Sequence, residues 1–230
     1  MKMQLRKYLK DTRKPVYSAV LVLPFFLVYH LGTMFLETTY INGADALIMR
    51  LLSALSVRTA FASALVLAAC FIVWQVRTRA SWKVQSGKVL ALFAESAFFA
   101  VLLFLAFGWL SVRLSRPAAE GAFEKMILYC GAGIYEELLF RGFLLGLLIL
   151  LFAGATSMKK TTAVIAAVLC ASLLFSLFHY VGSGSDVFTL GSFFQRALGG
   201  LYFSALFIGR GFGVAAASHA FYDILVGVIA

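Results

Sequence analysis

The sequence is poor in charge and in chain-breaking residues: 13% of its 230 residues are charged and only three are proline. With 62% hydrophobic residues and a mean hydropathy of +0.94, the chain has too few polar residues to cover a soluble core. It also lacks the short segments of alternating apolar and polar residues that are typical of a transmembrane barrel. These absences predict an all-α protein of packed transmembrane helices.

Acidic residues are scarce too: the chain has 20 Lys and Arg but only 10 Asp and Glu, which gives a formal net charge of +10. The basic residues are not spread along a soluble face between aromatics, as nucleic-acid binding requires, so we expect no nucleic-acid partner. They cluster at the ends of apolar runs, where they contact the headgroups of a lipid bilayer. The three cysteines lie inside apolar runs without CxxC spacing and are predicted to be buried hydrophobic residues.

Seven apolar segments come close to the roughly 20 residues that a spanning helix needs. They cover residues 16–36, 57–76, 89–111, 124–153, 161–181, 192–209 and 212–229. The first is too long for the apolar region of a signal peptide, and residues 42–50 fit a short interfacial helix. The sequence therefore predicts a polytopic transmembrane helical bundle of about seven spans.

Lys and Arg are unequally divided between alternate connections. With the N-terminus inside, the inside connections hold 13 of them and the outside connections hold 6. The positive-inside rule then predicts a cytoplasmic N-terminus.

The fourth span carries charged groups within the run GAGIYEELLFRG at 131–142. Each charged group costs about 2.5 to 3.5 kcal/mol in the middle of a membrane helix, so it needs a partner or a function. Glu137 and Arg141 are four residues apart on one face, the spacing of an internal ion pair. Glu136 points about 100° away from them and has no local cation, which makes it the candidate general base.

The later spans add two histidines and a carboxyl group. His179 follows the fifth span, and His219 and Asp223 lie four residues apart on one face of the seventh. His30, in the first span, is interpreted as structural. We expect an active site between the fourth, fifth and seventh spans.

Such a set can activate water by general-base catalysis, or Glu136, His179, His219 and Asp223 can hold a divalent metal such as zinc that does so. The sequence has no HExxH, and no serine or cysteine stands in a nucleophile elbow. The residues alone leave the choice between direct and metal-assisted activation open, so no cofactor is certain.

Three ordered segments, EExxxR at 136–141, FxxxH at 175–179 and HxxxD at 219–223, resemble the motifs of a known protease family. This is the CAAX-prenyl endopeptidase and bacteriocin-processing (CPBP or Abi) family of intramembrane proteases. The resemblance covers about the last hundred residues. It divides the chain into N-terminal helices at 1–120 and a catalytic core at 121–230.

The resemblance implies that Glu136 and His179 activate the attacking water, that His219 and Asp223 stabilise the oxyanion, and that Glu137 and Arg141 support the site. The family often has Asn where this chain has Asp223, and an ionised Asp cannot donate a hydrogen bond. Asp223 is therefore either protonated, or it orients His219, or it binds metal.

Two further polar residues have open interpretations. Arg196 either binds a substrate carboxylate or anchors its helix at the interface. Glu95, alone in the third span, either faces the cavity or makes a structural hydrogen bond.

The resemblance predicts an intramembrane endopeptidase of a prokaryotic cytoplasmic membrane, acting on a membrane-inserted or lipid-tethered peptide or protein. The predicted topology opens Glu136 and His179 to the outer side of the membrane. Two alternatives from other classes are a proton- or ion-coupled transporter, and a non-catalytic bacteriocin-immunity or scaffold protein.

Overall fold

A computed structural model describes residues 2–35, 41–57, 59, 61–108, 121–155, 158–181 and 186–229. These residues form helices and no strand, so the predicted all-α class is confirmed for them. In chain order the α-helices are α1 (Lys2–Thr12), α2 (Pro15–Phe35), α3 (Gly43–Ala54), α4 (Ala62–Thr78), α5 (Ser86–Leu103), α6 (Ala122–Glu137), α7 (Leu145–Ala155), α8 (Lys160–Phe178), α9 (Leu190–Arg210) and α10 (Phe212–Ile224). Short π-helical segments continue α5 (Phe104–Gly108), α6 (Leu138–Leu144) and α10 (Leu225–Ile229).

Four helical stretches are long and apolar enough to cross a membrane, and they make the chain an integral membrane protein. They cover Pro15–Phe35, Ser86–Phe107, Ala122–Gly154 and Lys160–Phe178, on the first, third, fourth and fifth predicted spans. The second and seventh predicted spans fall on the shorter apolar helices Ala62–Thr78 and Phe212–Val228. The sixth falls on α9, which is 21 residues long but includes Gln195, Arg196 and Arg210.

Part of the sequence-based topology lies outside the described residues. This holds for the predicted span ends at 36 and 109–111, and for Arg58, Arg113 and Arg116 in the charge count. The short helix predicted at 42–50 is present as α3.

Helix boundaries follow local capping chemistry. The side chain of Asn42 accepts hydrogen bonds from the backbone N–H groups of Ala44 and Asp45 and so begins α3. Thr189 caps α9 in the same way through the N–H of Ser192. Gly211 has φ +92°, a conformation that costs glycine little, and this lets α10 begin immediately after α9 ends.

The short helix α10 lies at the centre of the bundle, where α2, α5, α6 and α9 all pack against it. Its buried face is made largely of small residues, which allow helix backbones to approach closely in a membrane. These residues are Gly213, Ala215, Ala216, Ala217, Ser218 and Ala220. A Cβ atom at Gly133 of α6 would lie 2.7 Å from the carbonyl oxygen of Ala216. This close approach brings the polar side chains of α6 and α10 within reach of each other.

Glu95 makes structural contacts, the second of its two expected roles. Its Oε2 accepts hydrogen bonds of 2.8 Å from the Tyr8 hydroxyl and from Nη2 of Arg210, while Arg210 Nε donates to Oε1. Burial and the neighbouring Glu95 carboxylate raise the pKa of Tyr8 to about 12. The cluster ties α1 to α5 and to the end of α9. Lys88 and Lys14 reinforce α1 by binding Asp11.

We expect Arg210→Ala to lower the free energy of unfolding by about 3 kcal/mol, because it leaves the largely buried Glu95 carboxylate without its cation. Tyr8→Phe removes one hydrogen bond and should cost about 1 kcal/mol. Unfolding in mixed detergent micelles with increasing denaturing detergent measures both values. If both substitutions leave the free energy of unfolding nearly unchanged, the cluster does not hold α1 to the bundle.

Candidate active site

Four helical elements supply the polar side chains predicted to form the site. Glu136 and Glu137 end α6, Arg141 lies in the π-helical segment that follows, His179 caps the end of α8, and His219 and Asp223 lie on α10. The π-helical segment Leu138–Leu144 widens the helix directly after the two glutamates. Such segments are frequent at functional sites.

The predicted ion pair between Glu137 and Arg141 is present and buried. Nη1 of Arg141 donates to Oε1 of Glu137 at 2.8 Å, and the two side chains are 1% and 0% exposed. Nη2 of Arg141 donates to the carbonyl oxygen of Gly200 on α9 at 3.1 Å. The guanidinium also lies 4.4 Å from the ring centroid of Phe175, a cation–π contact. The pair therefore joins α6, α8 and α9.

His219 binds the same carboxylate. Its Nδ1 lies 2.9 Å from Oε1 of Glu137. Because a carboxylate paired with Arg141 can only accept, Nδ1 of His219 is the donor. The imidazole stacks on the ring of Phe203 with centroids 4.4 Å apart and planes 17° apart. Glu137 and Phe203 together fix the orientation of His219 and direct its Nε2 away from Glu137.

Glu136 faces both histidines without bonding to either. Its Oε2 lies 3.9 Å from Nε2 of His179 and 3.9 Å from Nε2 of His219, beyond hydrogen-bond distance. Its other oxygen, Oε1, accepts a 3.0 Å hydrogen bond from the side-chain amide of Asn42. Glu136 thus has one oxygen bound by a neutral donor and one oxygen directed at the two imidazoles.

The backbone determines which ring nitrogen of His179 is free. Its Nδ1 lies 2.9 Å from the carbonyl oxygen of Phe175, which only accepts, so Nδ1 carries the hydrogen. In the neutral ring, the lone pair on Nε2 then points toward Glu136. The His179 side chain is 24% exposed, so part of this side chain is reachable from outside the helix bundle.

Asp223 lies near Nε2 of His219, the ring nitrogen that also faces Glu136. Its Oδ2 is 3.5 Å from Nε2 of His219, and its side chain is 22% exposed. The carboxylate hydrogen-bonded to His219 is that of Glu137 at Nδ1, while Asp223 borders the space shared by Nε2 and Glu136.

The structure brings together six of the seven predicted site residues: Glu136, Glu137, Arg141, His179, His219 and Asp223. The guanidinium of Arg196 instead binds Asp186 at 2.5 Å and the hydroxyl of Tyr180 at 2.8 Å, closing the connection between α8 and α9. His30 binds the Tyr135 hydroxyl at 2.7 Å, which agrees with its structural interpretation.

Three contributors to the site were not predicted from the sequence: Asn42, Gly200 and Phe203. Asn42 lies 94 positions before Glu136, and only its place at a helix cap gives a local signal. Gly200 acts through its backbone carbonyl, which has no signature in the sequence. Phe203 is one of 23 phenylalanines, so its type alone could not distinguish it.

The sequence left open a divalent metal, such as zinc, held by Glu136, His179, His219 and Asp223. No group of three or more His, Cys, Asp or Glu side chains in the described ranges is placed to hold a metal ion. A cavity of about 280 Å³ between α2 and α4 is apolar and includes none of the predicted site residues.

Comparison with protein families gives a match for the C-terminal part of the chain. Residues 119–225 match the family described as Type II CAAX prenyl endopeptidase Rce1-like. The match covers a little under half of the chain, and this part of it is similar to that family. The Rce1-like proteins are intramembrane endopeptidases, and the match spans the three motifs on which the sequence resemblance rests. Comparisons with curated proteins and with solved structures gave no match.

The two adjacent glutamates should respond differently to neutralisation. We expect Glu137→Gln to lower the free energy of unfolding by about 3–5 kcal/mol, because it leaves the buried Arg141 charge without its counter-charge. Glu136→Gln should cost less than about 1 kcal/mol, since the glutamine oxygen can still accept from Asn42. Unfolding of both variants in the same micelles measures the difference, and a larger loss for Glu136→Gln would contradict this division.

Proposed function

We propose that this Rce1-like chain is an active endopeptidase that hydrolyses a peptide bond of a membrane-inserted or lipid-tethered peptide or protein, with water as the nucleophile. The observation that carries the proposal is the arrangement of Glu136. Its free oxygen faces Nε2 of two histidines at 3.9 Å each, in a site of which His179 and Asp223 form the accessible side.

The separation between Glu136 and His179 suits a shared water. Polar groups 3.9 Å apart can both bind one water molecule at about 2.8 Å. Both Oε2 of Glu136 and Nε2 of neutral His179 are acceptors, so the water would donate one hydrogen to each. Its oxygen lone pair then points away from both acceptors and toward an incoming carbonyl carbon.

In the proposed reaction, Glu136 takes a proton as the water oxygen bonds to the carbonyl carbon of the substrate. The carbonyl oxygen becomes the oxyanion of a tetrahedral intermediate. Glu136 then gives its proton to the amide nitrogen as the C–N bond breaks. The products are a carboxyl group and an amine, and Glu136 returns to its starting form.

His219 is the candidate donor to the oxyanion. Because its Nδ1 donates to Glu137, it can donate through Nε2 only as the imidazolium, and the Glu137 carboxylate supplies the counter-charge. Asp223 joins it as a donor only when protonated, and otherwise supports the charge on His219 from 3.5 Å. Glu137 and Arg141 hold this histidine and do not touch the substrate.

We also propose the seven-span topology, with the site between the fourth, fifth and seventh spans and the N-terminus in the cytoplasm of a prokaryote. This topology is supported by contacts of the N-terminal basic segment with the start of α5 and the end of α9. They bring the N-terminal basic residues, Lys88 and Arg210 to one end of the bundle. His179 ends α8 at the opposite end from Lys160. The site then opens to the outer side, and residues 121–230 form the catalytic core on the helices of residues 1–120.

Cleavage should depend on Glu136 and His179. We expect purified wild-type protein in liposomes to cleave members of a panel of membrane-anchored peptides, and Glu136→Gln and His179→Ala to reduce the rate at least about 100-fold by removing the base and its partner. Glu124→Gln, which neutralises another carboxylate on the same helix, is the matched control and should keep full activity.

The outcomes of this assay decide whether Glu136 is required and whether a metal takes part. Cleavage that survives Glu136→Gln in a folded protein would contradict the mechanism. Activity lost on treatment with a chelator and restored by zinc would require a metal in the site, whereas unchanged activity would support direct activation of water.

The orientation is tested by labelling in intact cells. In a variant without its native cysteines, Val181→Cys should react with a membrane-impermeant maleimide from outside, whereas Ser81→Cys should react only after lysis. Both positions are exposed in the structure. The reverse pattern would place the site opening on the cytoplasmic side.

A further inference from the structure

The amide of Asn42 makes two kinds of contact at once. Its Oδ1 accepts from the N–H groups of Ala44 and Asp45, at 2.9 and 3.4 Å, and so caps α3. Its Nδ2 donates to Oε1 of Glu136 at 3.0 Å. The cap leaves the amide nitrogen directed at the glutamate.

We propose that Asn42 is a positioning residue for the reaction, which holds Oε1 of Glu136 so that Oε2 is the atom that takes the proton from water. This rests on the proposed function of Glu136 as general base. Without this hydrogen bond, the carboxyl group can rotate, and either oxygen can turn away from His179 and His219. Asn42 lies outside residues 119–225, so part of the working site comes from outside the family match.

Asn42 is itself held in place by buried groups. Its backbone N–H donates to the Tyr29 hydroxyl at 3.2 Å, and that hydroxyl donates to Oδ2 of Asp45 at 2.6 Å. Tyr29 and Asp45 are 1% and 5% exposed. The start of α3 also lies against the end of α8, since a Cβ atom at Gly43 would be 3.4 Å from the ring of Phe178. The amide is thus fixed relative to both α2 and the helix that carries His179.

The chemistry of the donor matters as well. An amide orients a carboxylate through a hydrogen bond and brings no positive charge. A lysine or arginine in its place would form an ion pair and make the carboxylate a weaker base. The neutral contact thus restricts the rotation of Glu136 and leaves its negative charge available to accept a proton.

Two substitutions separate positioning from capping. Asp and Ser both cap helices well, but neither provides the amide donor of asparagine. Using the membrane-anchored peptide that the wild-type protein cleaves, we expect Asn42→Asp and Asn42→Ser to lower kcat about 10- to 100-fold, with KM within about twofold, because the base is misplaced and substrate contacts are unchanged. Asn42 acting only as a cap predicts wild-type kcat for both variants, and that result would overturn the proposal.

A thermal double-mutant cycle tests the contact without relying on protease activity. Asn42→Asp should lower Tm when Glu136 is present, because two carboxylates then face each other. In the Glu136→Gln background, the glutamine amide can donate to the introduced aspartate, so the same change should leave Tm unchanged or raise it.

The kinetic assay and the Tm cycle test different claims, so a failure of the proposed function can be told apart from a failure of the role of Asn42. If the wild-type protein cleaves no peptide, the proposed function is what fails, and the cycle alone decides whether Asn42 holds the side chain at position 136. Equal changes in Tm in the two backgrounds would overturn the proposal whatever the activity.

Discussion

The buried ion pair between Glu137 and Arg141 is the interaction on which the rest of the site depends. An isolated charge inside the bundle would be costly, and each partner here compensates for the other. Arg141 then donates from its second terminal nitrogen, Nη2, to the backbone of α9, and Glu137 uses the same oxygen to bind His219 on α10. A single charge pair therefore fixes the relative positions of three helices and orients one of the two histidines.

Around this ion pair, the exposure of the site's side chains increases in one direction. Glu137 and Arg141 are completely enclosed, Glu136 and His219 are nearly so, and His179 and Asp223 are partly open. The groups that hold the site are thus separated from water, while those that would meet a substrate lie nearest to the opening. This order suits hydrolysis in a membrane, because the side chains proposed to be catalytic lie closer to the opening than the ion pair beneath them.

The sequence predicted those parts of the site that follow from helical periodicity. Spacing of four residues placed Glu137 next to Arg141 and His219 next to Asp223, and both pairs lie close together in the structure. Contacts between distant segments have no such local rule. The bond from Glu137 to His219 joins residues 82 positions apart, and it could be anticipated only through the order of the family motifs.

Arg196 illustrates the same limit for a single charge. The sequence left a substrate carboxylate and the membrane interface as its two interpretations, and gave no sign of Asp186, ten positions earlier, as the partner. The helical fold itself was easier to predict, since hydropathy alone determines which segments can enter a bilayer. The seventh predicted span, residues 212–229, likewise coincides with α10 and its π-helical continuation to Ile229.

The π-helical segment at Leu138–Leu144 also affects how this chain can tolerate changes in length. A π turn contains one more residue than the α turn that it replaces, so it is equivalent to an insertion absorbed within a continuous helix. Deleting one residue there would restore regular α geometry and leave α7 close to its orientation relative to the two glutamates, because the wide turn already absorbs the extra residue. The apolar surface of α7 would then still face α8. In this part of the chain, loss of a single codon is therefore a milder change than in a regular α-helix, where it would rotate everything beyond it by about 100°.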